Sequence, residues 1–145
     1  MKKIQLYSII ILITFFSTFT YSQSISVSRI YTFLETQNQK AIVRELVSKG
    51  FSFSEKSTDY GMTMKTYIKT GSYGKERLVI GFNDELFLII YNPTTSFYST
   101  LKEKVLTSDF EYAYKHGDAK FYENGSMRIG INDKIGNVYF YVKLK

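Results

Sequence analysis

Two aspartates and one histidine are the side chains whose types could support catalysis. Asp84 and Asp133 close the matching stretches Ile80-Gly81-Phe82-Asn83-Asp84 and Ile129-Gly130-Ile131-Asn132-Asp133, which stand 49 positions apart. Were the two loops to meet in space, the carboxylates could pair as acid and base or hold a cation. His116 is the one histidine; in Lys115-His116-Gly117-Asp118 it could act as a general base. Each has a plainer reading. Asn-Asp is turn chemistry, with side chains bonding their own backbone, and His116 falls between two strand-like runs as a hairpin residue. No Gly-X-Ser-X-Gly elbow, phosphate loop or dinucleotide fingerprint is present. With no cysteine there is no thiol nucleophile, iron–sulfur set or zinc–thiolate site. The expectation is a protein that is not an enzyme, with no catalytic residues, metal or cofactor.

The elements that would position these residues begin after an address. Met1-Lys2-Lys3 is a short positive start, the apolar run Ile4 to Phe19 follows, and Thr20-Tyr21-Ser22 supplies small residues at −3 and −1 of a cut before Gln23. This is the pattern of a secretory signal peptide over residues 1–22. The run is shorter than the roughly 20 apolar residues of a spanning helix and contains Gln5, Ser8, Thr14 and Ser17. The mature chain, 23–145, is then expected to be secreted or periplasmic, with no transmembrane span. Loss of two lysines lowers the net charge from +6 to +4. With 20 of the chain's 25 Tyr and Phe after the cut and one Pro, this single domain reads as β-dominated.

Val27, Ile30, Tyr31 and Leu34 form a stripe at 3.6 spacing, and Ile42, Leu46 and Val47 drift to another face. That predicts a short helix near 27–35 and a second near 39–48, with Asn38 as N-cap, a Glu45–Lys49 pair and Gly50 just past the end. A single bent helix is the alternative. Strands follow: Phe51 to Glu55, Met62 to Lys69, Leu78 to Phe82, and Leu86 to Tyr91, the last apolar on both faces and so expected mid-sheet. Pro93 stops that strand. Phe97, Leu101 and Val105 predict a third helix capped by Thr94 or Thr95. Four more strands run 110–115, 119–123, 127–131 and 137–144, with Asn124-Gly125 as a two-residue turn whose central residues both need positive φ.

The expected fold class is therefore α+β: two tandem α-ββββ repeats, about 25–92 and 93–145, forming one antiparallel sheet of about eight strands with helices packed on one face. This arrangement resembles the β-lactamase-inhibitor-protein-like repeat family. The likeness rests on Phe51 and Phe110 opening strands after helices and on the two Ile-Gly-X-Asn-Asp hairpins. The resemblance implies a concave sheet face that binds proteins. Members usually carry disulfides, and this chain has no cysteine.

Alternate positions on the strands collect a candidate binding face: Lys65, Tyr67, Lys69, Tyr122, Arg128, Tyr139, Tyr141 and Lys143, with Lys120 among them. Met64, Ile68, Phe121, Met127, Ile129, Val138, Phe140 and Val142 would then face the helices. Tyrosine and arginine are favoured at protein-binding hot spots, although a solvated sheet face also carries cross-strand Tyr–Lys neighbours for stability alone. The expected partner is another protein of the envelope or outside the cell, with a cell-envelope glycan or anionic polymer as the alternative; a small hydrolase centred on His116 or the paired aspartates is the lesser reading. Export and the modest charge argue against nucleic acid.

Overall fold

The computed structural model describes residues 25–144; the expected signal segment 1–22 and its cleavage point lie outside them. The described chain is α+β. Helices α1 (Val27–Thr36) and α2 (Gln39–Ser48) precede strands β1 (Ser52–Asp59), β2 (Met62–Gly71), β3 (Gly74–Phe82) and β4 (Leu86–Asn92). Helix α3 (Thr95–Val105) then leads to β5 (Glu111–His116), β6 (Ala119–Glu123), β7 (Met127–Asn132) and β8 (Asn137–Lys143). The eight strands form one sheet in the order β1-β2-β3-β4-β8-β7-β6-β5, antiparallel throughout.

Local chemistry sets the helix ends. Gln37 enters the left-handed region (φ 51°) and stops α1. Asn38 Oδ1 accepts the Ala41 N–H at 3.1 Å and starts α2, so the phase change in the hydrophobic stripe is a break between two helices. After α2, Gly50 takes φ 86°. Its N–H reaches the Val47 carbonyl at 3.0 Å and the Phe51 N–H reaches Leu46 at 2.9 Å. This paired closure satisfies two end carbonyls, with Leu46 and Phe51 both buried beside it. Glu45 does not take Lys49 as its hydrogen-bonded partner; the Arg29 guanidinium of α1 binds it and ties the two helices together. Thr94 is the N-cap of α3, and Leu101 and Val105 are buried from that helix.

The expected Asn124-Gly125 turn is shifted by one residue. Asn124 and Met127 close it, the Asn124 N–H donating to the Met127 carbonyl at 3.2 Å and Asn124 Oδ1 accepting the Met127 N–H at 3.1 Å. Only Gly125 has positive φ, at 80°.

One buried cluster joins all three helices to the sheet. It holds Ile30, Phe33 and Leu34 from α1, Ile42 and Leu46 from α2, and Leu101 and Val105 from α3. Its strand members are Tyr67, Leu78, Ile80, Phe87, Ile89, Tyr91, Ile129, Ile131, Val138 and Phe140. The ladders place those strand residues on one side of the sheet, because Ile80 lies opposite Ile89, Ile89 opposite Phe140, and Phe140 opposite Ile129. That side is called the core face below. Strand β4 sits at the centre, as its two-sided apolar pattern requires.

Two strands run in the opposite phase to the sequence expectation. Tyr67 pairs with Leu78 and Lys65 with Ile80, so β2 presents Lys65, Tyr67 and Lys69 to the core face and Met64 and Ile68 to the opposite face. Tyr122 pairs with Ile129 and Lys120 with Ile131, which puts them on the core face as well, while Phe121, opposite Gly130, points the other way. The glycines of the two matching stretches explain the reversal. A Cβ on Gly130 would lie 2.5 Å from the Phe121 ring, and one on Gly81 would lie 2.6 Å from Met64 Sδ. Each glycine is the bare patch over which a neighbouring strand lays a large side chain flat.

Gly130→Ala is expected to cost about 1–3 kcal/mol, the usual range for overpacking. Gly81→Ala should cost less, because the flexible end of Met64 can move where the Phe121 ring cannot. Urea denaturation would measure both. A Gly130→Ala cost that is not reduced in a Phe121→Ala background would contradict this account.

Candidate binding face

The three side chains with catalytic potential are not brought together. The β4–β8 ladder runs from Leu86 opposite Lys143 to Tyr91 opposite Val138. Asp84 lies beyond the first end and Asp133 beyond the second. Five residue steps at about 3.4 Å each separate those ends by about 17 Å, far outside hydrogen-bond reach. The loops carrying the paired aspartates therefore do not meet. The turn chemistry belongs to the asparagines. Asn83 Oδ1 accepts the N–H groups of Glu85 and Leu86 at 2.9 and 2.8 Å, and Asn132 Oδ1 accepts that of Lys134 at 3.1 Å.

Asp133 instead clamps α3 to the β7–β8 turn. It accepts hydrogen bonds from Tyr98 at 3.0 Å and from Lys102 at 2.7 Å. The Lys102 ammonium holds its carboxyl below the usual range, with Tyr98 adding to the effect. Burial and Asp133 together push the Tyr98 hydroxyl well up. His116 is exposed in the β5–β6 hairpin. Among the described residues no group of three or more His, Asp or Glu could hold a metal ion.

Of the eight residues expected on one binding face, the structure brings Arg128, Tyr139, Tyr141 and Lys143 together on the face opposite the core. There Arg128 pairs across the ladder with Tyr141. Lys65, Tyr67, Lys69 and Tyr122 lie on the core face and correct that expectation. Tyr67 is only 4% exposed and Lys69 only 5%. Lys69 forms a buried ion pair with Glu76 at 3.3 Å and stands over the Phe51 ring at 5.4 Å. The Tyr91 hydroxyl donates to the same Glu76 carboxylate and accepts the Ile25 N–H at 3.1 Å. A burial this complete is tolerable for two charges only because each is paired. Lys65 reaches Gln39 of α2 at 3.5 Å and lies over the Phe82 ring at 5.3 Å. Tyr122 packs edge-on against Tyr112 of the edge strand at 5.9 Å.

The opposite face carries an aromatic cluster that the sequence reading recovered only in part. Tyr114 and Phe121 stack at 4.9 Å, and Phe121 also meets Tyr139 and Tyr141, each at 6.2 Å. Tyr139 and Tyr141 themselves lie 6.5 Å apart and nearly parallel, at 12°. The Arg128 guanidinium sits 5.4 Å over the Tyr114 ring while its Nε donates to Glu123. Burial, followed by the neighbouring hydroxyls of Tyr139 and Tyr114, pushes Tyr141 up to about 12, so its hydroxyl remains a neutral donor at physiological pH. Phe121 is 7% exposed, a floor beneath the tyrosines. Tyr114 and Phe121 were the residues missed; the pairing of Phe121 with Gly130 was the available signal. On the same face, β2, β3, β4, β8 and β7 contribute the cations Lys75, Arg77, Arg128 and Lys143 and no carboxylate.

Protein-family models, curated proteins and solved structures give no match to this chain. No helix among the described residues is long and apolar enough to cross a membrane.

Two outcomes follow from these placements. Lys69→Met leaves the buried Glu76 carboxylate without its ion-pair partner and should lower stability by about 3–5 kcal/mol. Combining it with Glu76→Gln should recover part of that loss, read as a non-additive double-mutant cycle in urea. Asp133→Asn should cost under about 1 kcal/mol at pH 7, since the Lys102 pair is half exposed. A depressed carboxyl stabilises the fold above its unfolded pKa, near 3.9, and loses that contribution as pH falls through the lower folded value. Melting curves of Asp133→Asn and of the unaltered protein should therefore converge towards pH 2.

Proposed function

We propose that the mature chain is a secreted or periplasmic, non-catalytic binding module that recognises another protein through the face opposite its core. The observation that carries this reading is the four-ring cluster Tyr114, Phe121, Tyr139 and Tyr141 with Arg128 stacked on it. Rigid aromatic groups and arginine, partly desolvated before binding, are the chemistry of interface hot spots. The binding residues in this proposal are Tyr114, Arg128, Tyr139, Tyr141 and Lys143. All three helices are taken to pack on the core face alone, which leaves the tyrosine face to a partner.

The two halves are further taken to be copies of one α-ββββ unit. Support comes from equivalent glycines lying under a side chain from the preceding strand and from a bulge in each edge strand, at Phe53/Glu55 and at Tyr112/Tyr114.

A second reading has its own observation. The cations Lys75, Arg77, Arg128 and Lys143 on the face opposite the core, of which, among the described residues, only Arg128 is paired there with a carboxylate, Glu123, would also suit an anionic polymer of the cell envelope. Salt separates the two, because polymer binding held by exposed charges should fall steeply with ionic strength and an aromatic protein interface should fall less.

Truncating a hot-spot tyrosine costs about 2 kcal/mol or more of binding energy. A Tyr139→Ala/Tyr141→Ala protein with an intact thermal transition should therefore lose its partner in affinity capture, while a Lys104→Ala control on α3 retains it. Identical captured sets from the two proteins would remove the face from consideration.

A further inference from the structure

One arrangement of side chains occurs twice on the core face, once at each edge of the sheet. On β1 and β2, Phe53 lies opposite Tyr67, a bulge follows, and Lys56 lies opposite Lys65. On β5 and β6, Tyr112 lies opposite Tyr122, a bulge follows, and Lys115 lies opposite Lys120. Phe53 and Lys56 precede Tyr112 and Lys115 by 59 positions, and Lys65 and Tyr67 precede Lys120 and Tyr122 by 55. Each aromatic pair meets edge-on, at 5.8 Å and 5.9 Å between ring centroids. The two shelves differ in their inner strands. Helix α2 reaches the first, where Gln39 accepts from Lys65 at 3.5 Å and Ile42 and Leu46 share one buried cluster with Tyr67. On the second, Lys120 is exposed and Tyr122 is only half-buried, beside the exposed Tyr112 and Lys115.

Like charges directly opposite one another weaken a ladder, and neither Lys115 nor Lys120 has an ion-pair partner among the described residues. The carboxylates of the adjoining turns are already engaged. Asp133, within the field of Lys120, is held by Lys102 and Tyr98. Asp118 is held by Lys134, and Asp109 by Thr107 and Asn124. Glu111 and Glu123 lie on the other face with Arg128.

We propose that the β5–β6 shelf seats an acidic amphipathic helix of another protein, as the β1–β2 shelf takes α2. This rests on reading the two halves as copies of one unit, and it concerns a surface on the side away from the tyrosine cluster. Two residue steps separate Tyr122 from Lys120, about 7 Å along the strand. Four residues of helix rise about 6 Å, so an apolar side chain over the tyrosines brings an Asp or Glu one turn away to the lysines. An amphipathic helix laid on an apolar surface is a recurring mode of recognition. A second copy of this chain lacks the charge, because α2 and α3 each carry two cations and one carboxylate and α1 one of each. An extended polyanion would meet the lysines and leave Tyr112 and Tyr122 without an apolar partner.

The test is a titration of 15N-labelled protein with a stapled helical peptide bearing leucines and glutamates one turn apart on one face. Versions with glutamine or lysine in place of glutamate, and unstructured polyglutamate of equal charge, are the comparisons. The glutamate helix should shift the amide signals of Tyr112, Lys115, Lys120 and Tyr122 and leave those of Tyr139 and Tyr141 in place. It should bind about five- to tenfold more tightly than the glutamine helix, the scale of two exposed ion pairs. Lys115→Glu/Lys120→Glu should reverse the preference in favour of the lysine helix. Lys120→Gln, which removes the cross-strand repulsion and so keeps the fold, should narrow the difference between the glutamate and glutamine helices. Equal binding of those two helices, shifts centred elsewhere, or a preference unaltered by Lys120→Gln would overturn the proposal. Polyglutamate binding as tightly as the glutamate helix would also overturn it, leaving a site for polyanions instead.

Discussion

The antiparallel ladder between β4 and β8 turns two four-stranded meanders into one sheet, and its register decides both faces at once. Ile89 lies opposite Phe140 on the core face, and Ile90 lies opposite Tyr139 on the other. Side chains alternate with a period of two, so a slip of one residue in either strand would carry its whole core set to the far side. Tyr139 and Tyr141 would then be turned into the core, and Val138, Phe140 and Val142 would lie where the aromatic cluster is. The core and the candidate binding face are therefore two consequences of one constraint. Asn92, at the end of that ladder, reinforces it by donating to the carbonyls of Ile135 and Gly136 at 2.8 and 2.9 Å.

Two devices let the sheet carry large side chains on both sides. On the core face, charge is admitted only with partners: Glu76 pairs with Lys69 and accepts from Tyr91, whose hydroxyl also takes the Ile25 N–H. On the opposite face, glycine supplies room. Gly81 accommodates Met64 and Leu88, and Gly130 accommodates Phe121. The tyrosines then rest on Phe121 as a preformed platform. Pre-ordering of this kind reduces the side-chain entropy lost when a partner docks.

Much of this fold was legible in the sequence. Asn38, Gly50 and the shifted hydrophobic stripe located α1 and α2 to within a residue of their ends, and the turn residues located all eight strands. What could not be read was the phase of β2 and β6. An apolar alternation reports which side is buried only when the other side is polar. Here β4 is apolar on both sides, so Met64 and Ile68 could pack on either face. The core-facing phase of Lys69 depends on Glu76 across a hairpin and on the Tyr91 hydroxyl, partners that no local pattern reveals. The eight residues of the candidate face are accordingly divided: Arg128, Tyr139, Tyr141 and Lys143 share one side of the sheet, whereas Lys65, Tyr67, Lys69 and Tyr122 belong to the other. The matching aspartates misled because the sheet order sends the two look-alike hairpins to opposite ends.

The strand order also sets a timetable. Every ladder but one joins strands that are neighbours in the chain, and such local pairings form early. The exception is β4 with β8, which brings together residues such as Ile89 and Phe140, 51 positions apart. On a ribosome the chain appears from its N-terminal side, so β4, the most apolar strand, must wait with one edge unpaired until β8 has been made. An apolar strand with an open edge invites pairing with other chains. The molecule can therefore reach its folded state only after β8 has been made, and until then it has to be kept apart from its own copies.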